Sequence, residues 1–238
     1  MSLSGLIPRE WKRRLRERLG AVTLSGRLQN LRRAGFMPRT IVDAGAFRGE
    51  WTLEVLGIFP EADFLLIEPQ VTVRDRLEEL VRVHRNVQLR TCLLGRDTGE
   101  IKLLVEGSNS RVMPPDWKPP VGAVWESHRV ETLGSALAAA GLEGCDFLKL
   151  DLQGQELEAL AGAGALFGNI EVIMTEVSWL RIGDVPLVHE VIAEFVAHGY
   201  VPYDSLGHNY RRRDRALWQT DMIFVRSDSA LVSSMSWD

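Results

Sequence analysis

A mainly parallel, doubly wound α/β sheet is the fold class this sequence predicts, and three observations predict it. Short apolar runs alternate with helical patterns from residue 40 onward. Those runs are apolar on both faces, as strands covered by helices on both sides must be. The last two, "YVPYDSL" (200–206) and "DMIFVRS" (221–227), have only the polar "GHNYRRRDRALWQT" between them, so they pair antiparallel and close the sheet.

Residues 1–38 read as a basic helical extension packed outside the sheet, 39–228 as the domain and 229–238 as a tail. "TIVDAGA" (40–46) is a strand, followed by a helix with Trp51, Val55, Leu56 and Phe59 on its apolar face. "DFLLIEP" (63–69) precedes a helix carrying Val73, Leu77, Leu80 and Val81. "VQLRTCLLG" (87–95) and "EIKLLVEG" (100–107) are joined by "RDTG" as a hairpin, and a loop rich in Pro, Gly and Ser fills 107–129. After the short helical "VETLGSALAAAG", "CDFLKLDL" (145–152) and "IEVIMTEVSW" (170–179) each lead into a further helix.

The composition, 45% apolar and 25% charged over 238 residues, suits a buried core in one domain. No run approaches the ~18 apolar residues of a membrane span, and the charged N-terminus lacks the apolar centre of a secretion signal, so the cytoplasm is the expected location. Cys92 and Cys145 lie in apolar runs and read as buried thiols; no metal site is expected. The net charge of -4 divides unevenly: residues 1–40 hold ten Arg or Lys against two Glu, leaving 18 basic against 30 acidic residues elsewhere. Such an arm is attracted to any polyanion, although a solvated helix face is the simpler reading.

The stretch "TIVDAGAFRGEW" (40–51) turns a buried strand into a helix through Asp43, Gly45 and Gly49. In open α/β sheets ligands bind beyond the carboxyl ends of the strands, at the reversal of strand order. Glycines there let a ligand approach the backbone. The spacing D-A-G-A-F-R-G lacks one glycine of the dinucleotide pattern, and an acid before the glycines disfavours a phosphate while suiting a cation. Glu68 ends the second strand, where a carboxylate accepts both hydroxyls of a ribose. The pair predicts a positively charged nucleoside, and S-adenosylmethionine fits that description.

These residues resemble the FkbM-type S-adenosylmethionine-dependent methyltransferases. The likeness is carried by "TIVDAGAFRGEWTLEVL", "IEP", "VETL", "CDFLKLDLQGQELEALAGAGALF", "IEVIMTEVSW" and "QTDMIFVR", roughly residues 27 to 227, with "DFLKLDLQGQELEALAGA" the most specific. The resemblance implies a Rossmann-like class I methyltransferase fold of seven strands with an antiparallel terminal strand, and methyl transfer to a hydroxyl of a sugar or natural product. It assigns Asp43, Gly45, Ala46, Phe47 and Gly49 to the methionine-side loop, Glu68 and Pro69 to the ribose, and Asp151 to the reacting methyl. Phe47 stands where the family often has Asn, and Gln153 where Glu is frequent.

In-line transfer to oxygen needs alignment and a base, since a sugar hydroxyl is a weak nucleophile. Asp151 is the first candidate; it also reads as an N-cap for the helix starting near Gln155. Glu176 is placed beside it, His128 in a loop near the cleft, and Lys149 on the same side as Asp151. The loop residues Asn109, Ser110, Arg111 and Trp125, with His208 and Arg211 further on, are candidates for acceptor contact. The expected partner is a small-molecule or glycosyl acceptor, with no nucleic acid and no stable membrane insertion; a homodimer is left open.

Three rival readings each draw on part of the sequence. A nucleic-acid methyltransferase draws on the basic arm and on Arg outnumbering Lys 24 to 4, but the fourth main strand ends in "DLQG" rather than the Pro-Pro-aromatic sequence of exocyclic adenine methylation. A nicotinamide oxidoreductase lacks its third glycine. A catalytically idle nucleotide-binding module, docked through Trp11, Leu15 and Leu19, is disfavoured by the presence of both Asp43 and Glu68.

Overall fold

The computed structural model describes residues 22–104, 110–112, 122–181 and 185–233. The docking helix of the idle-module rival, Asn109 and most of the 107–121 segment lie outside the described residues. Six helices are described: α1 (Leu24–Arg33), α2 (Glu50–Leu56), α3 (Val71–Val83), α4 (Leu133–Ala139), α5 (Glu156–Ala163) and α6 (Val188–Ala197). The strands are β1 (Thr40–Ala44), β2 (Asp63–Ile67), β3 (Val87–Arg90), β4 (Leu93–Leu94), β5 (Gly99–Leu104), β6 (Arg111–Val112), β7 (Trp125–Glu131), β8 (Phe147–Leu150), β9 (Val172–Ser178), β10 (Tyr200–Tyr210) and β11 (Leu217–Arg226).

Seven strands form the main sheet in the order β10-β11-β9-β8-β1-β2-β3. All pairings from β9 to β3 are parallel; β11 runs antiparallel to both β9 and β10, inserted between them. The period-two geometry of a strand explains the double coating. Val42, Ala44, Leu65, Ile67, Leu148 and Leu150 point into one apolar layer, and Ile41, Phe64, Leu66 and Phe147 into the other. Their burial at or near zero exposure is the main driving term, at about 25 cal/mol per Å² of apolar surface. The chain moves outward from β1 to β3 and then returns to β8 on the other side of β1, so strand order reverses at β1/β8.

Helix α1 is attached to this sheet by more than its charge. Leu28 and Leu31 are buried, Glu54 accepts from the Ser25 backbone N–H at 3.1 Å, and Arg27 pairs with Asp204 at 3.1 Å. Thr23 caps the helix, accepting from the Gly26 N–H.

Two expectations are corrected between residues 87 and 131. The run 87–95 does not pair with 100–107: β3 ends at Arg90, and β4, β7, β5 and β6 make a separate four-stranded sheet in that order, with β7 lying between the two expected hairpin arms. The segment 125–129, expected in a loop, is strand. "WESHRVE" reads as polar because Ser127 and Arg129 face solvent on one side of the strand while His128, on the other, is buried; Glu131, on the exposed side, is buried at the strand end with Arg90 2.6 Å from its Oε1.

Candidate functional site

The carboxyl ends of β1, β2 and β8 border a cleft whose walls include Gly45, Ala46, Phe47, Glu68, Pro69, Ser110, Lys149 and Asp151. The loop after β1 is built by two left-handed positions, Gly45 at φ 79° and Gly49 at φ 73°. Gly45 is required by contact as well: a Cβ there would stand 2.0 Å from the Asp151 carbonyl oxygen. Its N–H donates to Ile67 O at 2.9 Å and the Asp151 N–H to Ala44 O at 3.0 Å, so three strand ends are stitched around it. Phe47 adopts φ 46°, a conformation Asn tolerates better, and its N–H donates to Glu68 Oε2 at 2.8 Å.

Glu68 is buried. Its other oxygen accepts from the Gln70 N–H at 3.0 Å, and burial raises its carboxyl above the ordinary range against the pull of those two donors. Each oxygen keeps a lone pair for a second donor at the cleft wall.

The cation expected to face the cofactor's partner acid is instead supplied by the protein. Asp43 is fully buried beneath the loop, where the Thr52 hydroxyl donates to its Oδ2 at 2.6 Å and Lys149 Nζ lies 3.2 Å from its Oδ1. It does not line the cleft. The same ammonium donates to Gly45 O at 3.0 Å and lies 3.4 Å from Asp151 Oδ2. Burial pushes the Lys149 ammonium down, but Asp43 and Asp151 together hold it above its ordinary value, so it is a fixed cation and not a proton acceptor. Gly49 likewise leaves the cleft: it is the α2 N-cap, packed under Leu77 and Leu80.

Asp151 is not a helix cap. Its side chain, 40% exposed, accepts from Gln153 Nε2 at 3.0 Å. Glu156 does the local anchoring, its Oε1 accepting from the N–H groups of Leu152 (2.8 Å) and Gly154 (3.1 Å) across the left-handed pair Gln153 and Gly154. Sequence reasoning passed over Glu156; its signal was an acid placed two residues after a glycine at a helix start.

Glu176 and Asp221 sit opposite each other on β9 and β11. Burial, then repulsion from Asp151 and Asp221, raises the Glu176 carboxyl to about 8, and burial with repulsion from Asp151 raises Asp221 to about 6. Gln219 Nε2 donates to Glu176 Oε2 at 2.7 Å. The folded value of Glu176 lies above its ordinary one, so its stabilising contribution is complete below about pH 4.5 and is lost as pH rises through about 8. Glu176→Gln is therefore expected to match wild type near pH 4.5 and exceed its stability by about 4–5 kcal/mol at pH 9. Urea denaturation at both pH values checks this; a constant difference contradicts the buried, proton-bearing carboxyl.

Four expected contacts are not brought to the cleft. His128 lies on β7, buried, with Nε2 2.9 Å from Glu126 Oε2, and is not the loop base it was expected to be. Trp125 begins the same strand. His208 is exposed on β10, and Arg211 is held by Asp214, its Nε 3.0 Å from Oδ1. Ser110 does line the cleft, donating to Gln70 Oε1 at 3.0 Å; of Arg111 only the backbone is described, in β6. The walls also include Trp51, Gln70, Leu93, Leu103 and Val112, mostly from the small sheet, whose placement no local pattern announces. Among the described residues no group of three or more His, Cys, Asp or Glu is arranged to hold a metal ion, and no helix is long and apolar enough to cross a membrane.

The walls fit S-adenosylmethionine on two structural counts. Glu68 has acceptor capacity left for ribose hydroxyls, and the indole N–H of Trp51 is buried at the cleft wall without a partner among the described residues, a donor suited to a carboxylate.

Comparison with known proteins agrees with this geometry. The methyltransferase FkbM domain family matches residues 43–202. Among solved structures, a methyltransferase FkbM from Methylobacillus flagellatus KT aligns with TM-score 0.53 and 19% identity over 78% of this chain and 43% of its own, so this chain spans less than half of that protein's length. Magnesium protoporphyrin IX methyltransferase from Synechocystis PCC 6803, with bound SAM, aligns at TM-score 0.49 and 11% identity, covering 86% of this chain and 76% of its own. No curated protein matches. The chain belongs to the FkbM methyltransferase family, and S-adenosylmethionine is its cofactor.

Proposed function

We propose that this protein transfers the methyl group of S-adenosylmethionine to a hydroxyl oxygen of a sugar or natural-product acceptor. The observation that carries the reading is the Asp151 carboxylate, partly exposed at the end of β8 and fixed beside the Gly45–Phe47 loop by Lys149 and Gln153. The cofactor supplies an activated methyl when bound. The protein's part is to hold that methyl and the acceptor oxygen in line and to receive the hydroxyl proton.

Asp151 is placed to accept that proton or to orient the hydroxyl by hydrogen bonding. Glu176, raised to about 8 by burial and by the charge of Asp151, bears its proton near neutral pH, which leaves Asp151 as the ionised acid of the cluster. Glu68 holds the ribose end, and the Lys149–Asp43 pair ties the loop down from beneath, Asp43 buried and Lys149 reaching the cleft wall. A carboxylate floor suits a neutral hydroxylated acceptor head; it disfavours a phosphate at the reacting position.

Calorimetry with S-adenosylhomocysteine, followed by a screen of hydroxylated acceptors with ¹³C-methyl-labelled cofactor, tests the reading. The expected product signal is an O-methyl carbon; label on nitrogen or carbon overturns oxygen as the acceptor atom. Glu68→Gln is expected to weaken S-adenosylhomocysteine at least about 10-fold, as one hydrogen-bonded carboxylate acceptor is worth about 1.5–3 kcal/mol. Asp151→Asn is expected to leave that affinity within about 3-fold while lowering turnover about 100-fold or more, the range of general-base catalysis. Equal losses of binding in both variants contradict the catalytic assignment.

A further inference from the structure

The hairpin between β10 and β11 continues past the sheet on the cleft side. Strand β9 ends at Ser178, whose partner on β11 is Gln219, itself paired with Asn209 on β10, so residues 210–218 project beyond the carboxyl ends of the parallel strands. This overhang is tied to the carboxylate cluster through Gln219 and Glu176. Its tip, "RRRDR" (211–215), holds four arginines and one acid, on a body that is otherwise acidic. Asp214 neutralises Arg211, and Arg215 lies over the Tyr210 ring at 5.7 Å. Arg212 and Arg213 are exposed, with no carboxylate partner among the described residues. Two exposed aromatic residues flank this edge, Tyr210 at 49% and Trp179 at 46%; the Trp179 N–H donates to Trp218 O at 2.7 Å.

Charge is therefore segregated along one edge. The strand ends carry Asp151, Glu176 and Asp221 around a single ammonium, and the hairpin tip carries free guanidinium groups. From Asp221 to Leu217 alone the strand rises about 14 Å, at ~3.4 Å per residue. An acceptor with a neutral hydroxyl end and an anionic group at least that far away is attracted in one orientation and repelled in the other.

We propose that the β10–β11 hairpin tip is the acceptor-docking site for an anionic saccharide longer than one sugar ring, held through Arg212 and Arg213 with its neutral end directed to the carboxylates. The proposal rests on the methyl-transfer reading. Guanidinium forks pair with carboxylate and phosphate alike, and exposed indole and phenol faces provide the apolar platform for the rings between.

The test follows the intrinsic tryptophan fluorescence of the full chain, saturated with S-adenosylhomocysteine. The titrants are maltotrionate, with one terminal carboxylate, maltotriose 1-phosphate, neutral maltotriose and a 20-nucleotide single-stranded DNA, each with wild type and with Arg212→Glu/Arg213→Glu. One of the two anionic saccharides is expected to bind at least 10-fold more tightly than maltotriose and to lose at least 10-fold in the double variant. Maltotrionate responding alone assigns a carboxylate, maltotriose 1-phosphate alone a phosphate. Equal affinity for neutral and anionic saccharides, no binding of either anion, or no effect of charge reversal overturns the proposal. DNA binding that the reversal abolishes, with neither saccharide bound, overturns it in favour of a nucleic-acid contact. Failure of wild type to bind S-adenosylhomocysteine is read separately and overturns the methyl-transfer reading itself.

Discussion

Gly45→Ala is expected to abolish cofactor binding, with S-adenosylhomocysteine affinity reduced at least about 100-fold and stability by about 3 kcal/mol. The added Cβ would stand 2.0 Å from the Asp151 carbonyl oxygen and 2.9 Å from its carbonyl carbon. Both are backbone atoms, held by the Asp151 N–H to Ala44 bond at 3.0 Å, so no rotamer relieves the overlap. The loops after β1 and β8 must separate, and the cleft between them changes shape. Part of the cost is conformational, because Gly45 has φ 79°, where an L side chain costs about 1–2 kcal/mol. Gly141→Ala isolates that part: its φ is 70° and nothing lies within 4 Å of its added Cβ. Urea denaturation and calorimetry of both variants check the expectation. If Gly45→Ala loses no more stability than Gly141→Ala and retains binding, the close approach of the two loops is not required.

Lys149→Met is expected to cost about 3–5 kcal/mol, the usual penalty for stranding one partner of a buried ion pair. Asp43 has no exposed surface, and its remaining polar partner is the Thr52 hydroxyl. The methionine fills much of the lysine's volume, so the loss reports charge more than cavity. Asp43→Asn in the Lys149→Met background removes the stranded charge and is expected to recover more than half of the loss. A double-mutant cycle by urea denaturation measures the coupling. Additive losses would show that the ammonium is held chiefly by Gly45 O and Asp151, with Asp43 a bystander.

Much of the fold was legible because its signals are local. The strands 40–44, 63–67, 147–150 and 172–178 announce themselves as short apolar runs, and the missing helix between 210 and 217 reveals the antiparallel closure. Gly45 and Glu68 were legible for a related reason: a strand end in this topology has one place to go, and the chemistry of a nucleoside cofactor limits what stands there. The small sheet was not legible. Its strands alternate polar and apolar weakly, and β4 pairs with a strand some 37 residues away in sequence, which no neighbouring pattern specifies. The walls Leu93, Leu103 and Val112 were missed with it.

Asp43 illustrates the division most clearly. Its residue type and position at the end of β1 follow from the sequence, together with the topology, the glycine turn and the methyltransferase family. Its orientation does not. Whether its carboxylate faces a ligand or the interior depends on Lys149, 106 residues later, arriving within 3.2 Å on the adjacent strand. The same holds for Glu176 and Asp221, ordinary acids until β9 and β11 pair and burial forces them toward protonation. Sequence determines which strands form and where a ligand-sized break between them falls, because period and turn chemistry act over a few residues. Only the tertiary structure decides which carboxylates are neutralised, which bear a proton and which remain open to the cleft, because burial and charge pairing are properties of groups brought together from distant parts of the chain.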